Sequence, residues 1–171
     1  MSEMFRFKVV IVGEEGVGKT SLILRFVNDS FKDNYIPTLG VNFMMKDLPE
    51  NTRLIIWDIG GQNVWKAKLP LYLKGTDGAI IIFDTTRPHT FSEVDTWISK
   101  IQEIVRQDLP FILVGNKKDL VKDRKISEED VKKYLKHKKF LIYYESSAKT
   151  GENVEEFFKQ MAEILTKYAQ S

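Results

Sequence analysis

Gly13-Glu14-Glu15-Gly16-Val17-Gly18-Lys19-Thr20 decides the reading of this chain. It follows the apolar run Val9-Val10-Ile11-Val12, which reads as a buried strand. It opens into Ser21-Leu22-Ile23-Leu24-Arg25-Phe26-Val27, the first turns of a helix. Strand, G-x-x-x-x-G-K-T and helix in that order form the pattern of a phosphate-cradling P-loop. The glycines allow the backbone to curl so that successive N–H groups face one point, and the helix starting near Gly18 adds its free N–H groups and the positive end of its dipole. Lys19 is then placed for the β- and γ-phosphates of a bound nucleotide, and the Thr20 hydroxyl for Mg²⁺.

Composition narrows the rest. With 171 residues and no internal repeat or linker, the chain reads as one domain, 1–171, with a substantial core. There is no cysteine, which removes disulfides, thiol catalysis and cysteine metal sites, and fits a reducing compartment. It also removes prenylation and palmitoylation within this sequence, and Ser2 in place of glycine removes N-myristoylation, so no lipid anchor is expected here. No apolar run reaches transmembrane length. A net charge of +2 favours no polyanionic partner, and no nucleic acid is expected.

Along the chain, Phe5 to Val12 reads as a central strand. The polar stretch from Asn28 to Gly40, broken by Pro37, reads as a long functional loop. Val41 to Leu48 and Arg53 to Ile59 read as a hairpin joined across Pro49-Glu50-Asn51-Thr52. The second strand ends at Asp58, an acid placed to hold Mg²⁺ through water. Val64 to Leu73 suggests a short helix interrupted by Pro70. Ala79 to Phe83 is a buried strand, and Thr90 is a candidate cap for a helix over Phe91 to Arg106. Phe111 to Val114 is a further strand, ending at Gly115-Asn116-Lys117-Lys118-Asp119. Ser127 and Asp130 form a capping box, Phe140 to Tyr144 is the last strand, and Asn153 is expected to cap a final helix from Val154 to about Tyr168.

Strands alternating with helices predict a mostly parallel sheet covered on both faces. Ligands bind such sheets outside the carboxyl ends of the strands. Gly13–Thr20, Asp58–Gln62, Asn116–Asp119 and Ser147–Lys149 each follow a strand, so topology gathers all four on one rim.

These motifs resemble the Ras superfamily of small GTPases over essentially the whole chain. Tyr35-Ile36-Pro37-Thr38-Leu39-Gly40-Val41-Asn42-Phe43 is similar to the first switch of the Rab branch, while the Gly60-Gly61-Gln62 that follows Trp57-Asp58-Ile59 looks more like the Arf branch. The resemblance implies an α/β fold: a three-layer P-loop NTPase domain with a six-stranded, mostly parallel sheet, one antiparallel edge strand and about five helices. It implies a monomeric molecular switch that binds GTP or GDP with Mg²⁺ and hydrolyses GTP slowly unless assisted. Glu15, Gly16, Val17, Gly18, Lys19, Thr20 and Ser21 would surround the phosphates. Thr20, Thr38 and, through water, Asp58 would hold the metal. Phe31 and Tyr35 would face the nucleotide, Gly61 the γ-phosphate, and Gln62 the attacking water, with Lys19, Thr38, Gly61 and Gln62 forming the catalytic set. Effectors, a GAP and an exchange factor would use residues 31–43 and 60–75. The expected place is cytoplasmic, with attachment to a membrane through partners or a lipidated tail left open.

Base choice follows from chemistry. Guanine presents N1–H and its 2-amino group side by side, and the Asp119 carboxylate accepts both. Asn116 would tie this loop to the P-loop and the Lys117 stem would cover the ring. Ser147 would brace Asp119, the Ala148 N–H would face O6, and Lys149 would close over the base. Glu15 replaces the small residue usual in the family beside the γ-phosphate, and the loop from Asn28 to Gly40 carries no arginine. Both suggest slow unassisted turnover. The rival reading is a scaffold that binds GTP and barely hydrolyses it; a P-loop phosphotransferase is a more distant one. The lysines at 132, 133, 136, 138 and 139 read as a solvated face, His89 and His137 as surface residues, and Trp97 as core. Trp65 is either core or part of a partner surface.

Overall fold

The computed structural model describes residues 3–33, 38, 40–61 and 67–171. Strand β1 (Phe5–Val12) is apolar on both sides, Val9 and Ile11 entering one core and Val10 and Val12 the other. Such a strand is stable only inside a sheet covered on both faces. It pairs in parallel with β3 (Thr52–Ile59) and β4 (Gly78–Asp84). With β2 (Val41–Leu48), β5 (Phe111–Asn116) and β6 (Leu141–Glu145), the order is β2-β3-β1-β4-β5-β6. Only β2 runs antiparallel, at the edge, and its hairpin turns through Glu50 and Asn51 at φ 61° and 54°.

Helices α1 (Lys19–Asn28) and α6 (Val154–Gln170) cover one face. Phe26 of α1 stacks on Phe158 of α6 with ring centroids 4.2 Å apart, a contact worth about 0.5–1.5 kcal/mol beyond its buried area. Helices α2 (Leu69–Leu73), α4 (Val94–Ile104) and α5 (Glu128–Leu135) cover the other face, with the short α3 (Pro88–Ser92) leading into α4. With α3 and α4 taken as one interrupted helix, five helices flank the sheet among the described residues, the three-layer α/β arrangement expected. None of them is long and apolar enough to cross a membrane.

Three local expectations are corrected. Within the described part of Val64–Leu73, Pro70 stands in the first turn of α2 and does not interrupt it, because that turn has no acceptor for the N–H that proline lacks; residues 64–66 lie outside the described residues. Thr90 lies inside α3 and caps nothing: its hydroxyl turns back to Arg87 O at 2.7 Å and accepts from Asp84 N–H at 2.9 Å, which tightens the turn and separates α3 from α4. Asn153 precedes α6 in a left-handed conformation and makes no side-chain cap, its amide donating instead to Glu145 O at 2.7 Å. The Ser127–Asp130 capping box forms, with both bonds at 3.0 Å.

Candidate nucleotide site

The carboxyl ends of β1, β3 and β5 and the segment after β6 surround one cavity of about 410 Å³. Its floor is the P-loop. Gly18 enters α1 at φ 101°, and a Cβ there would strike the Asn116 amide. That amide donates to Val17 O at 2.9 Å, so the close approach of two loops requires glycine. Val17, expected beside the phosphates, is itself buried in the core and is not among the residues that line the cavity. Lys19 is buried and donates Nζ to Gly13 O at 2.9 Å and Glu14 O at 3.0 Å. Burial lowers its pKa to about 8 against the pull of Asp58, Glu14 and Glu15, with Arg87 adding to the fall.

Next to Lys19, three hard oxygens converge. The hydroxyls of Thr20 and Thr38 are 2.7 Å apart, the Thr20 hydroxyl donates to Asp58 Oδ2, and Thr38 reaches the same atom at 3.4 Å. Asp58 is buried, which raises its pKa, opposed by the Thr20 bond, by Lys19 and by Thr38. Its Oδ1 is buried with no hydrogen-bond partner among the described residues. Two hydroxyls and a carboxylate with an unmatched lone pair fit a small hard cation. Among the described residues no three His, Cys, Asp or Glu side chains cluster, so such an ion would complete its shell with water and phosphate, the habit of Mg²⁺.

The far end of the cavity is lined by the segments after β5 and β6. Asp119, Lys117, Ala148, Lys149 and Phe31 line it. Ser147 is buried and donates its hydroxyl to Asp119 Oδ1 at 2.7 Å, leaving the second carboxylate oxygen for other donors. Asn116 Oδ1 accepts from Ser146 Oγ and from Ala148 N, both at 3.3 Å, which joins the loops after β5 and β6. At the other end Glu15, Ser21, Thr38 and Gly61 line the wall. A Cβ on Gly61 would come within 2.5 Å of Glu15 N, so this segment lies directly on the P-loop backbone. Tyr35, Gln62 and Trp65 lie outside the described residues.

A family model described as Ras family matches residues 8–167. The chain belongs to the Ras family. It is also similar to the GTP-binding protein YPT53 of Saccharomyces cerevisiae, 37% identical over 164 residues, 91% of this chain and 74% of that one. The chain is therefore a Ras-superfamily small GTPase close to the Rab branch: a switch that binds guanine nucleotide and hydrolyses GTP.

Within this Ras-family domain, three residues that sequence reasoning passed over tie the loops together. Arg25, on α1, donates Nε to Ala148 O at 2.8 Å and Nη2 to Lys149 O at 2.6 Å, holding the base loop from the P-loop helix. Asp84, fully buried at the end of β4, accepts Thr86 N and Oγ1 on Oδ1 and pairs through Oδ2 with Lys117 Nζ at 2.9 Å. Arg87, in the turn after β4, donates Nη1 to Glu15 O at 2.9 Å. Asp84 carried a legible signal, an acid closing an apolar strand as Asp58 does. The arginines carried none, because their partners are backbone carbonyls.

Proposed function

We propose that residues 1–171 form a single, monomeric G domain in which the rim cavity takes GTP or GDP with one Mg²⁺. The observation that carries this reading is the convergence of Thr20, Thr38 and Asp58 oxygens beside the buried Lys19 ammonium. Thr20, Thr38 and Asp58 would hold the ion, which when bound would neutralise charge on the β- and γ-phosphates. Glu15 to Ser21 would donate backbone N–H groups to the phosphates, and Lys19 would exchange its two carbonyl partners for phosphate oxygens. Asp119 would accept the guanine N1–H and 2-amino group, with Ser147, Asn116, Lys117, Ala148, Lys149, Phe31 and Tyr35 fixing the base and ribose. Gly61 would donate to the γ-phosphate and Gln62 would orient the attacking water. Losing the γ-phosphate would release Thr38 and Gly61 together, which couples hydrolysis to the shape of both segments.

Residues 31–43 and 60–75 are then the surfaces read by effectors, a GAP and an exchange factor. Phe43 and Leu71, 58% and 69% exposed, support this: large apolar side chains facing water within those segments suit a partner. Phe43 stacks on Trp57 at 5.6 Å, which keeps the ring in place while exposed. Membrane traffic is the process we infer, with a cytoplasmic protein attached peripherally through partners or a tail outside these residues. Denaturing the purified protein and separating the released small molecule by chromatography tests the reading. GDP or GTP in near-equal ratio to protein is expected; an adenine nucleotide, or none together with no binding of added GDP, refutes it.

A further inference from the structure

The long loop before β2 supplies no arginine, but the turn after β4 does. Arg87 lies 72 residues beyond Glu15 and places its guanidinium on the Glu15 carbonyl. The turn is held firmly. Arg87 N bonds Asp84 O at 3.0 Å, the Thr90 hydroxyl donates to Arg87 O at 2.7 Å, and the buried Asp84 carboxylate lies 4.0 Å from Nη1. The same carboxylate pairs with Lys117, whose Nζ donates to Gly16 O at 2.8 Å. One buried acid therefore holds two cations against two consecutive P-loop carbonyls.

The peptide unit is planar and trans, so a carbonyl pulled outward turns the N–H of the following residue to the opposite side. A cation on Glu15 O thus fixes and polarises the Gly16 N–H, and Lys117 on Gly16 O does the same for Val17 N–H. Glu15 and Gly16 both line the cavity, and the Gly61 backbone rests on Glu15 at the end where Thr38 also lies. That is the γ-phosphate end on the reading above. The field of Arg87 also reaches the phosphate lysine, since Arg87 adds to the lowering that burial imposes on Lys19.

We propose that Arg87 is a positioning residue supplied in cis, which acts through the Glu15–Gly16 peptide to favour triphosphate over diphosphate and to speed GTP hydrolysis. The inference rests on the cavity holding a guanine nucleotide with its γ-phosphate at the Glu15–Gly61 end. A charge-assisted hydrogen bond of this kind is worth about tenfold in an equilibrium constant.

The test compares the parent with Arg87→Ala and Arg87→Lys in three measurements: affinity for GDP and for a non-hydrolysable GTP analogue with Mg²⁺, single-turnover hydrolysis at saturating GTP, and melting temperature. Arg87→Ala is expected to weaken the analogue about tenfold more than GDP and to slow hydrolysis about tenfold, with the melting temperature held. Arg87→Lys, which keeps the charge, is expected to recover most of the analogue affinity. Equal losses for GDP and the analogue, or hydrolysis within about twofold of the parent, would overturn the proposal, since a merely structural residue treats both nucleotides alike. A parent that binds no guanine nucleotide would remove the nucleotide reading as well; a parent that binds tightly beside an indifferent Arg87→Ala removes this proposal alone.

Discussion

Arg25→Ala separates anchoring of the base loop from general stability. Arg25 is 18% exposed in its side chain and gives two charged donors to the carbonyls of Ala148 and Lys149, at 2.8 and 2.6 Å. Its third contact, to Asp29 at 3.2 Å, involves a carboxylate 92% exposed and contributes little. A hydrogen bond to a charged group contributes about 1.5–3 kcal/mol where water is excluded. The Ala148 bond is half-sheltered and the Lys149 bond faces solvent, so the two together reduce to about 2–3 kcal/mol. The loop they hold carries the Ala148 N–H and, through Ser147, braces Asp119. If that energy serves to hold the loop for the base, affinity falls by about 30- to 150-fold. The base end is common to both nucleotides, so GDP and a non-hydrolysable GTP analogue should lose affinity by the same factor, with single-turnover hydrolysis at saturating GTP unchanged. Fluorescent nucleotide titration and single-turnover rates measure both. Arg25→Lys, a point donor without the planar fork, should fall between. Unchanged affinities with a lowered melting temperature would mean that Arg25 only pins α1 to its neighbour. A loss confined to the triphosphate would mean that the base-loop geometry is misassigned.

Three further predictions follow from single contacts. Asp119→Asn should lose GTP and gain XTP, because the amide offers one acceptor and one donor where guanine needs two acceptors; a continued preference for GTP in competition binding refutes the base contact. Glu15→Gly should raise the intrinsic single-turnover rate by removing a carboxylate from the γ-phosphate end, and equal rates would discard that role. Glu145 is half-buried, which raises its carboxyl pKa, but the Arg124 fork at 2.7 and 2.6 Å and the Tyr143 hydroxyl at 2.7 Å outweigh this and bring it below its ordinary 4.5. A depressed folded pKa gives stability that is present above 4.5 and lost as pH falls through the folded value. Glu145→Gln should therefore cost about 2 kcal/mol at pH 7 and flatten the acid limb of a melting-temperature profile, whereas parallel limbs would show that the pair is not linked to folding.

The parallel character of the sheet, its central first strand and the rim position of four motifs were legible because each rests on a local pattern. Val9 to Val12 and Phe111 to Val114 are apolar on both faces and must be interior, and Gly13–Thr20 and Asn116–Asp119 follow directly on them, while the other two motifs follow β3 and the edge strand β6. Element ends were less legible where one side chain chooses between two local bonds. Thr90 satisfies Arg87 O in place of a helix N-terminus, and Asn153 reaches Glu145 O in place of its own helix. Spacing did not separate these choices: Thr90 bonds a carbonyl three residues back, and Asn153 depends on where the end of β6 lies. The same limit hid Arg25 and Arg87: an arginine on a helix or in a turn reads as solvated surface until the fold brings a backbone oxygen to it.

These ties divide the cavity into two parts that a switch must control separately. A molecule that alternates between GTP and GDP needs an affinity common to both and a smaller difference between them. The common part belongs to contacts every guanine nucleotide makes, and Arg25 stiffens that end from α1 through Ala148 and Lys149. The difference can come only from groups near the γ-phosphate, where Arg87 bears on Glu15 O and Gly61 rests on the preceding Glu14–Glu15 peptide. Asp84 and Lys117 stand between the two, since Lys117 lines the base pocket and also bonds Gly16 O. Substituting Lys117 should therefore disturb both parts at once, while each arginine disturbs one. Were the two arginines to give the same pattern of losses, the division itself would be wrong, and the loops would have to be treated as a single rigid rim.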